Sequence, residues 1–293
     1  MEINTETPDV LLPTNDWIFK RIFGDERNKL LLIDMLEAYI VLPKEEFEIT
    51  LLDTHLKREA KDDKLGILDI KLKTKSGKIL DIEIQVLPFA HMGKRISYYK
   101  SSLIAEQICS GDDYNKIQTV ICVVITKHIM HKHIKGYINR FRFQTDEGEL
   151  FEDMPEEIYT IELPKIPAED DGSKSRLWSI FLSAETREEF EMVAEKSPRI
   201  REAVQELFIL SKNEEVRAEY ALRQKALMDY NTIMQDKYSE GKREGIEIGD
   251  KKGREGERRD MAISLIKDGF PIEQVVKHSK LDIETVKTLY TQI

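Results

Sequence analysis

Apolar residues recur at the spacing of an α-helix between residues 14 and 40 of the chain. Trp17, Ile18 and Phe23 begin this stripe, and further apolar side chains continue it, namely Leu30, Leu31, Ile33, Met35 and Leu36. Gly24 interrupts the stripe and Pro43 follows its end. Because glycine weakens a helix and proline cannot continue one, the pattern predicts one opening helix, or two with a break near Gly24.

The period changes to two in the next segment, which is typical of β-strands. Residues 67–73 and 80–86 alternate between apolar and polar side chains, and Lys75-Ser76-Gly77 separates the two runs. A three-residue hairpin loop with glycine in the left-handed position pairs residues whose numbers add up to 152. This register alone collects the apolar side chains on one face, where it pairs Leu72 with Leu80, Ile70 with Ile82 and Leu68 with Ile84.

The helical period returns in residues 93–110, and a continuous apolar run follows in residues 117–126. We interpret these segments as a helix that ends at Gly111 and a buried strand. The order helix, strands, helix, strand predicts an α/β fold in which helices cover a sheet.

The second half of the chain has a different character. Residues 145–171 are predicted to form an acidic loop, residues 173–238 are mostly helical, and residues 260–292 form short helices that end in a pair with helix-turn-helix proportions. Five of the fourteen glycines lie in residues 241–256, four of them spaced by four residues, which indicates a weak, self-associating helix or a hinge. These changes predict three regions: an α/β core over 1–170, a helical extension that packs on it over 171–240, and a glycine-repeat tail with terminal helices over 241–293.

Composition excludes several classes of protein. Apolar residues make up 41% of the 293 residues, which is enough for a buried core, and the longest apolar run, residues 120–125, is too short to cross a membrane. The acidic N-terminus does not resemble a signal peptide. Two cysteines indicate a reducing compartment, so we expect a cytoplasmic protein.

The charge is unevenly distributed along the chain. The net charge is −10, but residues 91–144 contain nine basic and three acidic side chains, whereas residues 145–171 contain eleven acidic and one basic. Because a local field steers ligands more than the total charge does, the acidic total does not exclude a nucleic acid as partner.

The predicted hairpin register has a chemical consequence at Asp69 and Glu83. The two residues become cross-strand neighbours, and like charges so placed destabilise a sheet unless a cation compensates them. Hard oxygen ligands suit Mg²⁺ or Mn²⁺, and Gln85 lies on the same side as Glu83. The alternative is an ordinary exposed acid pair, in which Lys71 and Lys73 form salt bridges with Asp81.

The spacing of Asp69 from Glu83-Ile84-Gln85 resembles the core motif of PD-(D/E)XK nucleases, in the variant with Gln in place of the last Lys. The segment 16–24 (DWIFKRIFG) and the segments 95–99 and 111–114 are similar to the recombination-promoting nuclease (Rpn) and putative transposase family. This resemblance implies a restriction-endonuclease-like core, a mixed sheet flanked by helices, with a helical C-terminal region. It also implies a metal-dependent DNA endonuclease associated with recombination or transposition.

The resemblance further implies roles for particular residues. Asp69 and Glu83 would ligate a divalent metal, most simply Mg²⁺ with Mn²⁺ or Ca²⁺ as alternatives, together with the carbonyl of Ile84, and Gln85 would position the attacking water. Leu68 stands where the superfamily has Pro. The missing Lys removes a cation, which Lys71 could supply from the same face, and three basic side chains would contact DNA phosphates: Lys94, Arg95 and Lys100.

Two other functions remain open at this stage. The substitution of Gln for Lys allows a catalytically degenerate protein that acts by binding DNA. The glycine repeat allows assembly of a homo-oligomer through the C-terminal helices.

Overall fold

The computed structural model describes residues 9–55, 68–88 and 91–292. The chain divides into two compact units, Met1–Leu222 and Arg223–Ile293. Among the described residues, no helix combines the length and the apolar composition that crossing a membrane requires. Ile67, where the first strand of the hairpin is predicted to start, lies outside the described residues.

The first unit contains a mixed sheet whose six described strands run in the order β1-β2-β3-β4-β6-β5. Strands β3, β4 and β6 are parallel, and the remaining pairs are antiparallel. The strands are β1 (Thr50–Leu52), β2 (Ile70–Lys73), β3 (Ile79–Gln85), β4 (Val120–Thr126), β5 (Ile138–Phe141) and β6 (Glu156–Glu162). The helices of this unit are α1 (Asp16–Phe23), α2 (Lys29–Tyr39), α3 (Met92–Ala105), α4 (Lys174–Ser183), α5 (Arg187–Ala194), α6 (Pro198–Lys212) and the start of α7 (Glu214–Lys267).

The opening helical segment is two helices, and the break lies at Gly24 as predicted. Asn15 caps α1, because its side chain accepts hydrogen bonds from the backbone N–H groups of Trp17 and Ile18. Gly24 ends the helix by donating its N–H to the carbonyl of Lys20. A β-carbon at Gly24 would lie 2.7 Å from that carbonyl oxygen, so only glycine fits without a shift of the helix end.

The predicted register of the β2–β3 hairpin is confirmed. Ile70 pairs with Ile82 and Leu72 with Leu80, and the loop is closed by a hydrogen bond from the Thr74 N–H to the Lys78 carbonyl, 2.9 Å long. Gly77 has a φ of +102°, the left-handed conformation that a three-residue loop requires.

Two apolar layers cover the sheet, one on each face. Helices α1, α2 and α4–α6 pack on one face, where Ile70, Leu72 and Ile82 point. Helix α3 packs on the opposite face, which is lined by Cys122 and Val124. The prediction for Leu68 is wrong in one respect: this residue is buried, but it packs in the α3 layer, because the ladder with β3 ends at Ile70.

The predicted acidic loop contains a strand that the sequence pattern did not reveal. Residues Glu156–Glu162 form β6, which is parallel to β4, and Ile138–Phe141 form the edge strand β5. Tyr159 and Ile161 of β6 enter the larger apolar layer. Acidic side chains occupy a strand here because Glu156 pairs with Lys100 and Glu157 pairs with Arg140.

Helix α7 is continuous through the glycine repeat, from Glu214 to Lys267. A hinge is therefore not seen at the glycines. In the second unit, the end of α7 packs with the short helices α8 (Ile272–Ser279) and α9 (Ile283–Gln292) around a small core that includes Ala262, Val275 and Val286.

Candidate active site

Asp69 lies just before the first residue of β2, and its carboxylate accepts a hydrogen bond from the backbone of β3. The Oδ2 atom accepts a hydrogen bond from the N–H of Ile84 on β3, at 2.9 Å. In return, the N–H of Asp69 donates to Oε1 of Glu83 at 3.1 Å. The two predicted metal ligands therefore meet at the end of the hairpin, where the Glu83 carboxylate is bound to the backbone of Asp69 and the Asp69 carboxylate to the backbone of the residue after Glu83.

The backbone N–H and carbonyl of Ile84 are directed toward the end of the hairpin where Asp69 and Glu83 meet. The Gln85 carbonyl accepts from the N–H of Lys127, at the end of β4, whereas the Ile84 N–H faces the β2 side and Asp69. Because the N–H and C=O of one strand residue point to the same neighbouring strand, the Ile84 carbonyl is directed toward the Asp69 side.

Glu83 and Gln85 lie on the α3 face, and both are buried. The amide nitrogen of Gln85 donates to Oε2 of Glu83 at 3.1 Å. Arg95, in the first turn of α3, approaches the same oxygen with Nη2 at 3.3 Å, and its guanidinium lies 5.2 Å from the ring centre of Tyr99. Arg95 was predicted to contact DNA; in the structure its charge faces Glu83.

Lys20 is a site residue that the sequence pattern did not reveal. Its Nζ lies 3.1 Å from Oδ1 of Asp69, and it reaches the site from α1, on the face of the sheet opposite to α3. The sequence contained one signal, because Lys20 belongs to the family-like segment 16–24, but its spacing from Asp16 is also that of an ordinary pair on a helix surface.

Asp81 is a second site residue that the sequence pattern did not reveal, and it adds a third carboxyl group to the site. It lies two residues before Glu83 on the same face, is 1% exposed, and its Oδ1 has no hydrogen-bond partner among the described residues. The alternative salt bridge from Lys71 to Asp81 is not formed, since Lys71 pairs with Glu106. Sequence alternation marked Asp81 as polar, but it could not show that the residue is buried.

Burial of three neighbouring carboxyl groups raises their pKa values. Desolvation raises the pKa of Glu83 to about 9, and repulsion by Asp81 and Asp69 adds to the effect. Desolvation and repulsion by Asp69 raise the pKa of Asp81 to about 7. Desolvation also raises the pKa of Asp69, against the opposite influence of the Ile84 N–H and Lys20.

Two residues predicted to supply positive charge, Lys71 and Lys100, are paired with acids of other elements. Lys71 Nζ forms an ion pair with Glu106 at the end of α3, at 2.8 Å, and from there its charge partly offsets the desolvation that raises the pKa of Asp81. Lys100 is buried and pairs with Glu156, so it is not on the surface that a DNA phosphate could reach. Lys94 is exposed in the first turn of α3, as a phosphate contact requires.

The donor set fits a hard divalent cation. A group of three or more His, Cys, Asp or Glu side chains arranged around one point is absent from the described residues. Mg²⁺, however, keeps several waters and is usually bound by one or two carboxylates. Asp69 and Glu83 supply two carboxylates and the Ile84 carbonyl supplies a third oxygen. Asp81 adds a buried carboxyl group whose Oδ1 has no hydrogen-bond partner among the described residues.

Comparison with known proteins places the chain in a wider context. A family model described as PD-(D/E)XK nuclease family transposase matches residues 13–237, which includes the sheet and every site residue above. None of the curated proteins and none of the solved structures compared with the chain matches it.

Proposed function

The chain belongs to the PD-(D/E)XK nuclease family transposases, and on that premise we propose that it is a metal-dependent endonuclease that hydrolyses phosphodiester bonds of DNA. One observation carries the proposal: at the end of the hairpin the Asp69 carboxylate accepts from the Ile84 N–H, and the Glu83 carboxylate accepts from the Asp69 N–H, so the two acids lie side by side. The two free cysteines, one exposed and one buried, agree with action in a reducing cytoplasm.

Asp69, Glu83 and the Ile84 carbonyl are the residues that would hold the metal, with Mg²⁺ as the first choice and Mn²⁺ or Ca²⁺ as alternatives. A bound divalent cation lowers the pKa of its water and offsets the negative charge of the phosphoryl transition state. Gln85 directs its amide N–H to Glu83, which leaves its amide oxygen to accept a hydrogen bond from the attacking water and so to orient that water.

The DNA backbone would approach along the first turn of α3. Lys94 is exposed there, and we propose that it contacts a phosphate, which positions the duplex without reading its sequence. Arg95 is held at Glu83 in this structure; a metal at Glu83 would compete for the same oxygen and release the guanidinium toward the phosphate.

The test is cleavage of supercoiled plasmid by the full chain with Mg²⁺ or Mn²⁺. We expect nicking that EDTA abolishes, and a loss of at least about 100-fold in rate for Asp69→Asn and Glu83→Gln. These isosteric changes remove charge and keep the shape of each side chain. Glu48→Gln, at an exposed ion pair with Lys75, is the matched control and should cleave like the parent; equal cleavage by all four proteins would refute the site.

The second candidate function is DNA binding without cleavage. The presence of Gln85 where most members of the superfamily have Lys favours it. It would be supported by metal-independent DNA binding that weakens steeply with salt, together with no cleavage in any divalent cation.

We further propose that α7 assembles copies of the chain. The part of α7 in the second unit exposes Met228 and four apolar side chains at helical spacing, Tyr230, Ile233, Met234 and Tyr238. The glycines that follow them would let two helices approach closely.

A further inference from the structure

The site lacks a cation at position 85, and three basic side chains lie near its carboxylates. Lys71 is held by Glu106 with only 11% of its side chain exposed. Arg95 is paired with Glu83, lies against Tyr99 and keeps 33% of its side chain exposed. Lys20 keeps 31% of its side chain exposed and, like Arg95, combines contact with the site and access from solvent; of the three, it is the one whose charge faces the Asp69 carboxylate.

The two oxygens of the Asp69 carboxylate have different partners. Oδ2 accepts from the Ile84 N–H, which belongs to the sheet, whereas Oδ1 faces Lys20. Asp69 would hold a metal through the same carboxylate that Lys20 now contacts. The ammonium of Lys20 would then lose part of its attraction to Asp69 and would be free to turn toward a substrate phosphate.

The end of α1 fixes where Lys20 can reach. The N–H of Gly24 donates to the Lys20 carbonyl, and four side chains of α1 are fully buried against the larger apolar layer, Ile18, Phe19, Ile22 and Phe23. The backbone of Lys20 is therefore held rigidly, while its long flexible side chain can move from Asp69 to a neighbouring group.

We propose that Lys20 supplies the positive charge that Gln85 lacks, and that its ammonium group contacts a non-bridging oxygen of the phosphate under attack. The inference rests on the proposed nuclease function. In the hydrolysis, the water oxygen forms a bond to phosphorus, the bond from phosphorus to the leaving oxygen breaks, the water proton passes to solvent and the leaving oxygen takes a proton from solvent. Lys20 transfers no proton; it stabilises the charge that builds up on the phosphate.

The experiment compares the full-length parent with Lys20→Met, Lys20→Arg and the control Arg21→Met. Arg21 is the neighbouring cation on α1, and its guanidinium lies 4.4 Å from the ring centre of Trp17. Each protein is assayed for plasmid cleavage in Mg²⁺, for Mg²⁺ binding by calorimetry at pH 8.5 without DNA, and for binding of a short duplex in Ca²⁺ over a range of salt concentrations.

We expect Lys20→Met to cleave about 100-fold more slowly, to bind Mg²⁺ at least as tightly as the parent, and to reduce the salt slope of DNA binding by about 1. Lys20→Arg should recover part of the rate, and Arg21→Met should match the parent. Metal binding separates this role from a structural one, because loss of a residue that merely positions Asp69 would weaken Mg²⁺ binding.

Cleavage by Lys20→Met within threefold of the parent would overturn the proposal, and so would weaker Mg²⁺ binding by this variant. A parent protein that binds Mg²⁺ and cleaves no DNA would instead refute the nuclease function. In that event, an unchanged salt slope in Lys20→Met would refute the phosphate contact as well, and a reduced slope would support it.

Discussion

Asp81 is an acid buried beside two others, and its burial makes the stability of the fold depend on pH. Its folded pKa of about 7 lies above the ordinary value of 3.8, so between these pH values the unfolded chain releases a proton that the folded chain keeps. The free energy of unfolding therefore falls as the pH rises through this window, and the loss is complete above pH 7.

We expect Asp81→Asn to stabilise the first unit at pH 8 by up to about 4 kcal/mol, from about 1.4 kcal/mol per unit of pKa, and to have little effect near pH 4. Urea titration in EDTA, followed by tryptophan fluorescence, measures it, since Trp17 and Trp178 both lie in that unit. Asp146→Asn, at an exposed turn, is the control. Equal stability of Asp81→Asn and parent at pH 8 would contradict the expectation that the buried Asp81 carboxylate destabilises the fold when it is ionised.

Glu83 is a second single residue with a pH effect, because its protonation makes metal binding depend on pH. Its pKa of about 9 means that at neutral pH most of the carboxyl is protonated, and a metal must displace that proton. We expect saturating Mg²⁺ to raise the melting temperature of the parent more at pH 8.5 than at pH 6, and Asp69→Asn to remove most of the increase. A shift that is larger at pH 6 would count against Glu83 as a ligand.

The sequence could predict Asp69, Glu83 and Gln85 because alternation along two adjacent strands fixes their register locally. Lys20 could not be placed in this way, since its contact with Asp69 joins two distant parts of the chain through the packing of α1 on the sheet. Asp81 was equally hidden, because a polar residue in an alternating strand looks the same whether its face is covered or open.

At the scale of elements, the β2–β3 hairpin depends on one glycine. A side chain at Gly77 would adopt an unfavourable φ of +102°, and its β-carbon would lie 3.3 Å from Cγ of Gln118. We expect Gly77→Ala to destabilise the first unit by about 1 to 2 kcal/mol, measured by the same urea titration.

Gly93→Ala is the matched control for that change. Gly93 lies in the first turn of α3, where no described atom comes within 4 Å of a β-carbon added to it. Alanine should be neutral or should stabilise the helix by up to about 1 kcal/mol. If both alanine variants behave alike, the left-handed conformation at Gly77 is not required.

The helices and central strands were predictable because their apolar residues follow one clear period. Strand β6 was not, since the segment before it and the strand itself are rich in acidic residues, and composition concealed the alternation of Tyr159 and Ile161. The compensating cations, Lys100 and Arg140, come from other elements, and a pattern followed along the chain does not pair them.

At the scale of the whole molecule, the basic and acidic segments partly neutralise each other. Lys100 and Arg140 pair with acids of β6, and Lys127 pairs with Glu185. The positive charge that remains for DNA is smaller than the count of basic residues in the segment 91–144 indicates. We therefore expect the salt dependence of DNA binding by the parent protein to correspond to fewer phosphate contacts than the nine basic residues of that segment.

The glycine repeat of α7 gives the prediction for assembly. No described atom lies within 4 Å of a β-carbon added at Gly241, Gly245, Gly249 or Gly253, so the fold of one chain does not require glycine there. Replacing all four with alanine should increase helicity in circular dichroism and, by blocking close approach of a second helix, shift the sedimentation of an oligomer toward the monomer. Unchanged sedimentation would exclude the glycine contact, and Gly256→Ala is the control outside the spacing.

Because the Ile84 N–H donates to Asp69, the amide proton of Ile84 can serve as a reporter of the state of the site. A metal, a proton or Lys20 on that carboxylate changes the acceptor strength of Oδ2, and the exchange rate and chemical shift of the Ile84 amide follow. Nuclear magnetic resonance of ¹⁵N-labelled protein could therefore report occupancy of the site without any DNA. The same bond means that Asp69→Ala would loosen the sheet as well as remove a ligand, whereas Asp69→Asn keeps an oxygen in place.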